Sequence, residues 1–325
     1  MATDNSTTRP TPKEEWIKAE DGYDHVFEEF NKAGFQVHAF DQRGFGQTGK
    51  KSKTLGRSGG YAKAIPDITE ALKRSEIEGV PLFLMGHSYG GSLVLNYNCI
   101  GPLRSKLSGV IASAPLVLAS APTRPNNLTI SFAGVVSKVM PSLRIPVNLS
   151  SKFISRDKDE VAKYNKDPLV HGYGTTKGLF DMLTNGKLLL TERFKAASAE
   201  VPLLICHGTD DGLTDPKASK SFFDKCTHIK DKEYKLFEGH YHELHNEPEV
   251  DRKAVIDHYI QWLKAHLPKK QPKEDPKEVA KEQPKEDSKE EPKEQPITNP
   301  TPEAAEASDV IKVADAAAAP VPAQA

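Results

Sequence analysis

One serine lies in a pattern that is typical of a catalytic nucleophile. Residues 86–91 read GHSYGG, follow an apolar run and precede a predicted helix. Glycines spaced around Ser88 permit a tight, strained turn that exposes the hydroxyl above a sheet. The helix behind it offers N-terminal amides, and the Tyr89 N–H can donate to an oxyanion. The pattern therefore predicts that Ser88 is a nucleophile.

A serine hydroxyl needs a general base, and the base needs a carboxylate that orients it. In hydrolases with this serine turn, the acid precedes the base along the chain. Residues 207–215 read HGTDDGLTD, follow an apolar run and offer three carboxylates: Asp210, Asp211 and Asp215. Asp215 fits better as the N-cap of a helix whose first residue is Pro216. The spacing alone does not choose between Asp210 and Asp211.

Candidates for the base lie in a second loop. Residues 238–245 read EGHYHELH, follow a short predicted strand and offer three histidines: His240, His242 and His245. Imidazole is the side chain that most often acts as a general base near neutral pH. The position of each histidine within the loop leaves all three open as the base.

Helix and strand patterns alternate between residues 23 and 267. Apolar runs predict strands at 35–40, 80–85, 107–118, 201–206 and 234–237. Helical periodicity predicts helices over 23–34, 61–77, 90–99, 215–226 and 251–266. This alternation predicts an α/β fold with a mostly parallel sheet and helices on both faces. The candidate residues all follow predicted strands.

The other segments predict an insertion and two poorly ordered ends. Between residues 119 and 200 the alternation lapses, and about 80 residues are too many for a loop, so we predict a helical cap subdomain. It interrupts a core of residues 23–118 and 201–267. In residues 268–325 lysine recurs among prolines and glutamates, which predicts a disordered tail. Residues 1–22 predict a poorly ordered N-terminal segment.

Composition excludes several classes of protein. The chain has 44 basic and 45 acidic side chains and a net charge of −1, which argues against nucleic-acid binding. Three cysteines are too few for a disulfide framework, and no apolar run reaches the roughly 18 residues of a membrane span. We find no secretion signal, no spacing of metal ligands and no phosphate loop. We therefore expect a cytoplasmic chain without metal or cofactor.

Four runs together resemble the monoacylglycerol lipases of the α/β-hydrolase superfamily, fungal members in particular. The runs are FNKAGFQVHAFDQRGFGQTG, GHSYGG, HGTDDGLTD and FEGHYHELHNE, and the resemblance covers roughly residues 23–267. It implies the α/β-hydrolase fold. It also implies hydrolysis of monoacylglycerol to glycerol and free fatty acid through an acyl-serine intermediate.

The resemblance assigns roles to particular residues. It places the nucleophile on Ser88, the acid on Asp211 and the base on His242. His245 falls where the family has a second histidine near the glycerol head group, which implies substrate binding. Tyr89 replaces a more usual methionine and keeps the N–H of the oxyanion site. The insertion corresponds to the family's cap, whose apolar outer face meets membranes or lipid droplets.

One part of the family pattern is absent. Members have three strands before the helix at Tyr23, and then a His-Gly-x-Gly-Glu loop that donates a second oxyanion N–H. Residues 1–22 contain neither, so we expect an N-terminally truncated hydrolase fold without its first strands. A gap would then separate the strands predicted at 35–40 and 80–85. Either these two pair directly or a partner chain fills the gap.

Two other functions are compatible with the sequence. One is a different carboxylesterase or thioesterase on the same fold. The other is an inactive paralogue or interaction protein that keeps the three catalytic side chains, lacks the oxyanion loop and works through its charged tail.

Overall fold

The computed structural model describes residues 23–147 and 149–268. Its α-helices are α1 (Asp24–Lys32), α2 (Gly46–Lys51), α3 (Tyr61–Ser75), α4 (Tyr89–Ile100), α5 (Asn127–Val139), α6 (Lys158–Lys166), α7 (Thr176–Thr191), α8 (Pro216–Lys225) and α9 (Glu249–Ala265). Its strands are β1 (Phe83–His87), β2 (Gly109–Ser113), β3 (Arg144–Pro146), β4 (Tyr173–Thr175), β5 (Leu203–Gly208) and β6 (Lys232–Phe237). The predicted N-terminal segment, and the predicted tail from residue 269 onward, lie outside the described residues.

Four strands form a parallel sheet in the order β1-β2-β5-β6. Strands β2 and β5 are buried along their whole length, as expected for strands covered on both faces. In β5 the side chains alternate between two cores. Leu203 and Ile205 pack into one, and Leu204 and Cys206 pack into the other. The predicted parallel sheet is therefore confirmed.

Helices cover both faces of this sheet, as predicted. One core lies beneath α3, α4 and α8, which contribute Leu72, Leu95 and Phe222. The other lies beneath α1 and α9, which contribute Val26 and Tyr259. Helix α4 is buried on all sides from Gly91 to Cys99, whereas the other helices bury one side each, and this packing is the main stabilisation available to helices of this length.

Two predicted strands are shorter than their apolar runs. The run at 80–85 forms a strand only from Phe83, because Val80 lies in a turn and Pro81 has no N–H for a ladder. The run at 107–118 leaves the sheet after Ser113, because Ala114 turns to a φ of +42°. The turn sends the following residues toward Ser88, whose carbonyl accepts a hydrogen bond from Leu116 N–H.

The predicted strand at 35–40 is wrong. Phe35 and Val37 pack into the core beside α1 and α9, but the segment has no ladder partner among the described residues. Alternation of apolar side chains can place a segment against a core, but only backbone pairing makes it a strand. Direct pairing with β1 is therefore contradicted, and β1 pairs with β2 alone in the described part of the chain. Its residues are half-buried, unlike those of β2.

Residues 119–200 contain α5, α6, α7 and the antiparallel pair β3–β4. Helix α7 packs against α3 and α4, and α5 packs against α7. The insertion therefore packs on the core through α7, and its segment around Phe153 also hydrogen-bonds the loop that carries His242. None of the helices described is long and apolar enough to cross a membrane.

Several ion pairs join the insertion to the core, and two of them differ in how far their carboxylates are buried. Arg156 Nε donates to Glu247 Oε2 at 2.7 Å, and the Glu247 side chain is fully buried. Arg124 Nη2 donates to Asp215 Oδ2, also at 2.7 Å, but the side chains of this pair are 39% and 22% exposed. Removing the partner of a buried carboxylate destabilises the fold more than removing the partner of an exposed one, because water does not replace the lost contact.

We predict that Arg156→Ala lowers the free energy of unfolding by about 2–3 kcal/mol, because it leaves Glu247 buried and short of a donor. Arg124→Ala is the matched control and should lower it by at most about 1 kcal/mol. Denaturant unfolding of both variants measures the difference. Equal losses in the two variants would contradict the role given to Glu247.

Candidate functional site

Ser88 occupies a strained turn between β1 and α4. Its backbone has a φ of +56° and a ψ of −117°, a region that residues with side chains rarely adopt. The neighbouring strand holds the turn, because Ser88 N–H donates to Ser113 O at 3.0 Å. Ser88 O accepts from Leu116 N–H at 2.9 Å. The hydroxyl therefore stands at the carboxyl end of the sheet, as the sequence predicts.

Two glycines make this turn possible by letting backbones approach. A Cβ on Gly86 would lie 2.3 Å from Gly90 O, and a Cβ on Gly91 would lie 2.8 Å from Pro115 Cα. Both distances are too short for a side chain. Gly90 differs, because the nearest atom to its Cβ position is Gln42 Nε2 at 3.8 Å.

The turn, the β5–α8 loop and the β6–α9 loop bring three polar side chains into contact. His242 Nε2 lies 2.8 Å from Ser88 Oγ, and His242 Nδ1 lies 2.8 Å from Asp211 Oδ2. Asp211 and His242 are buried. The sheet order produces this meeting, because β5 and β6 are neighbours and their carboxyl ends share an edge with β1. The three residues occur along the chain in the order serine, aspartate, histidine.

Asp211 is held by several donors. Leu213 N–H and Thr214 N–H donate to Oδ1 at 2.8 and 2.9 Å, and the Thr214 hydroxyl lies 2.7 Å from Oδ2. His207 Nε2 lies 3.2 Å from the same oxygen. These contacts replace water around a carboxylate that the fold removes from solvent. They also fix which oxygen faces His242.

The charges of the site shift the pKa values of both partners. Burial acts to raise the pKa of Asp211, but the imidazoles of His242 and His207 outweigh it and hold that pKa below its usual range. Burial acts to lower the pKa of His242, but the Asp211 carboxylate raises it above its usual value. An imidazole of raised basicity, aimed at a hydroxyl, is the arrangement that removes a proton from serine.

The competing candidates lie elsewhere. Asp215 caps α8 by accepting from Lys217 N–H at 2.9 Å, as predicted. Asp210 is exposed, and its carboxylate lies near Thr209 rather than a histidine. His240 bonds the carbonyl of Glu238 through Nδ1 at 2.9 Å. Only Asp211 and His242 among these candidates lie within hydrogen-bond distance of each other.

Sequence reasoning missed His207 and Thr214 as partners of the Asp211 carboxylate. His207 is the penultimate residue of β5, four residues before Asp211, and its Nδ1 lies 2.8 Å from Ser219 Oγ. Thr214 is buried, and its hydroxyl also lies 3.1 Å from Ala114 O. A polar residue at the end of a buried strand was the available signal for His207. No signal in the sequence identified Thr214, although its partner Asp211 lies three residues earlier in the same loop.

Comparison with known proteins decides the family. The family model described as serine aminopeptidase, S33 matches residues 18–249. A monoglyceride lipase of Saccharomyces cerevisiae is 34% identical over 251 residues, which cover 72% of this chain and 77% of that protein. The chain belongs to the monoglyceride lipase family of α/β-hydrolases.

Other proteins match this chain over different shares of their own length. A Schizosaccharomyces pombe protein with a provisional monoglyceride lipase name is 37% identical over 245 residues, which cover 75% of this chain and 64% of that protein. The chain therefore spans less than two thirds of that relative. A crystal structure of a soluble variant of the S. cerevisiae monoglyceride lipase, in complex with a substrate analogue, aligns with a TM-score of 0.66 at 31% identity. It covers 75% of this chain and 82% of that one.

In this monoglyceride lipase family member, His245, the residue predicted to bind substrate, is buried. It lies behind the contact between Ser88 and His242. The ring of His245 stacks on that of Tyr23 with centroids 4.7 Å apart, and it meets His87 edge-on at 5.0 Å. Burial, and then the nearby His242, lower the pKa of His245 to about 3. Burial and His242 also lower the pKa of His87. Both rings are therefore neutral neighbours of His242.

Tyr89 is the first residue of α4, where backbone N–H groups have no partner within the helix. The predicted oxyanion donor thus lies at the positive end of the helix dipole, next to Ser88. Its side chain turns away to meet the Tyr61 ring edge-on, with centroids 5.8 Å apart. In the described part of this family member, no group of three His, Cys, Asp or Glu side chains could hold a metal ion.

We predict opposite outcomes for alanine at the two glycines that flank Ser88. Gly86→Ala should destabilise the fold by more than about 2 kcal/mol, because the new Cβ collides with backbone and must push β1 from α4. Gly90→Ala should change stability by at most about 1 kcal/mol, because its site is open and alanine favours the helix. Thermal unfolding of both variants measures this. Equal stability would contradict the close packing of Gly86 on Gly90.

Proposed function

We propose that the chain is a serine ester hydrolase that cleaves monoacylglycerol to glycerol and free fatty acid. The observation that carries this proposal is the continuous contact from Ser88 Oγ through the His242 ring to Asp211, 2.8 Å on each side. Relatives named monoglyceride lipase support the substrate class. Ser88, His242 and Asp211 are the proposed nucleophile, base and acid.

The first half-reaction acylates the serine. His242 Nε2 takes the Ser88 proton as Oγ attacks the ester carbonyl, and the carbonyl oxygen becomes an oxyanion. The Tyr89 N–H donates to that oxyanion. The imidazolium then gives its proton to the glycerol oxygen, the ester C–O bond breaks and glycerol leaves. Asp211 keeps the proton on Nδ1 and stabilises the cation.

The second half-reaction releases the fatty acid. Water attacks the acyl carbon while His242 takes a water proton, and the second oxyanion uses the same Tyr89 N–H. The Ser88 oxygen leaves and receives the proton from His242. The net reaction consumes one ester and one water and gives one alcohol and one acid. The contact of His245 with the glycerol head group stays a prediction. The residue is 1% exposed in this structure.

The insertion at 119–200 is the proposed cap, which meets a membrane or lipid-droplet surface. The support is an apolar face on α5 whose members are largely exposed: Leu128 80%, Phe132 69%, Val135 62% and Val139 76%. These residues recur every three or four positions and so share one side of the helix. A water-soluble surface rarely leaves such a stripe uncovered, and an interfacial helix buries it among lipid chains.

Two alanine variants test the proposed chemistry. We expect Ser88→Ala and His242→Ala to reduce monoacylglycerol turnover by at least about 10³-fold, because the nucleophile and its base act as a unit. His240→Ala is the matched control from the same loop and should stay within about threefold of the parent. Release of glycerol and fatty acid under saturating substrate is the measurement.

Three results would contradict parts of this proposal. Turnover that survives His242→Ala and falls with His240→Ala would move the base. A folded parent chain that turns over acyl thioesters or simple esters, and leaves monoacylglycerol intact, would make it a different esterase. An intact fold without any turnover would favour an interaction protein.

The lipid-facing role of α5 has its own test. The double variant Leu128→Ser, Phe132→Ser should bind phosphatidylcholine vesicles about 10–100-fold more weakly, because each large apolar side chain gains about 1.5–3 kcal/mol on full burial and only part of that at an interface. Val250→Ser is the control, since Val250 is 82% exposed at the start of α9. Vesicle co-sedimentation measures binding. Equal losses in control and double variant would exclude α5 as the docking face.

A further inference from the structure

The first part of the insertion carries cationic side chains and no acidic ones. Residues 119–156 contain five cationic side chains and neither Asp nor Glu. Two of the five are used to join the insertion to the core, because Arg124 bonds Asp215 and Arg156 bonds Glu247. Lys138, Arg144 and Lys152 remain, and no described carboxylate lies within 4.0 Å of them. Their positive charges are therefore not neutralised by a described carboxylate and are available to a binding partner.

Two of these cations directly adjoin exposed apolar residues in the chain. Lys138 precedes Val139 and Met140 at the end of α5, and both apolar residues are more than half exposed. Arg144 directly follows the exposed Leu143 at the start of β3. We name the exposed surface of residues 128–147 and 149–152 the cationic apolar face.

Two of the cations rest on aromatic rings, which orient their stems. The Arg144 guanidinium carbon lies 5.3 Å from the centroid of the Tyr173 ring. The Lys152 ammonium lies 4.7 Å from the centroid of the Phe153 ring. All three cationic residues are exposed, so their charged groups are available to solvent and to a surface.

We propose that the cationic apolar face docks on lipid surfaces rich in anionic head groups, with Lys138, Arg144 and Lys152 bound to head-group phosphates. The proposal deepens the proposed function, because it names the kind of surface on which the cap rests. Apolar side chains alone would bind neutral and charged bilayers alike. The added cations make the binding depend on lipid charge.

The chemistry of the face favours lipid over other acidic partners. A nucleic acid would meet the basic groups but leave the exposed leucine, valine and methionine side chains without a partner. A lipid surface satisfies both, since phosphates lie directly above the acyl chains. Each Lys or Arg near an anionic bilayer strengthens binding about fivefold. Three cations therefore give a preference on the order of 100-fold.

Co-sedimentation with vesicles tests the proposal on the full chain, with no glyceride present. We expect vesicles of phosphatidylcholine with one third phosphatidylglycerol to bind on the order of 100-fold more tightly than pure phosphatidylcholine at 0.1 M salt. The triple variant Lys138→Gln, Arg144→Gln, Lys152→Gln should lose this preference and still bind neutral vesicles. Salt at 1 M should weaken binding of the parent to charged vesicles, because it screens the head groups.

A matched triple variant controls for net charge. Lys73→Gln, Lys230→Gln, Lys264→Gln removes three exposed cations near the amino ends of the strands, opposite Ser88, and should keep the preference. Equal binding of the parent to neutral and charged vesicles would overturn the proposal. So would an equal loss in both triple variants, or self-association that the Lys138 triple variant abolishes, since a second copy would then cover the face. Because no ester is cleaved in this assay, a failure of the proposed hydrolysis leaves the binding result readable.

Discussion

The turn at Ser88 is the constraint on which the site depends. A left-handed backbone at a non-glycine residue costs about 1–3 kcal/mol and persists only when its surroundings hold it. Here β2 and the residues after it supply the restraint, through Ser113 O and Leu116 N–H. Gly86 and Gly91 then let α4 and Pro115 approach closely enough to lock the turn. The serine hydroxyl is thus fixed relative to β2, and not only to its own strand.

His242 is fixed by a different set of contacts, which runs through the insertion. His242 N–H donates to Phe153 O at 3.1 Å, and Tyr241 N–H donates to Glu247 Oε1 at 2.6 Å. Glu247 in turn accepts from Arg156, so one buried carboxylate connects the histidine loop to the insertion. The insertion is therefore part of what aims His242 at Ser88. A displacement of this segment would change the position of His242 relative to Ser88, as well as any path of the substrate to the site.

Sequence predicted the parts of this arrangement that local pattern determines. Periodicity placed α3, α4, α8 and α9 within a few residues of their observed ends, and the glycine spacing located Ser88. The choice of His242 over His240 could not come from pattern, because its partner Ser88 lies 154 residues away in the chain. That choice came from family resemblance. The segment at 35–40 shows the opposite error, since its alternating side chains do pack inward while its backbone lacks the partner that a strand requires.

The sheet order separates two requirements of the chemistry. The Ser88 turn is braced from β2, and Asp211 and His242 follow β5 and β6, so the three-residue contact needs only the side of β1 that is paired. An oxyanion donor besides Tyr89 would have to approach from another direction. The edge of β1 away from β2 is open among the described residues, and it ends beside the same hydroxyl. A donor lacking on that side would lower the rate by about 10²–10³ and leave the contacts of Ser88, His242 and Asp211 intact. The contact of the three side chains thus depends on the paired edge of this five-residue strand, and not on its other edge.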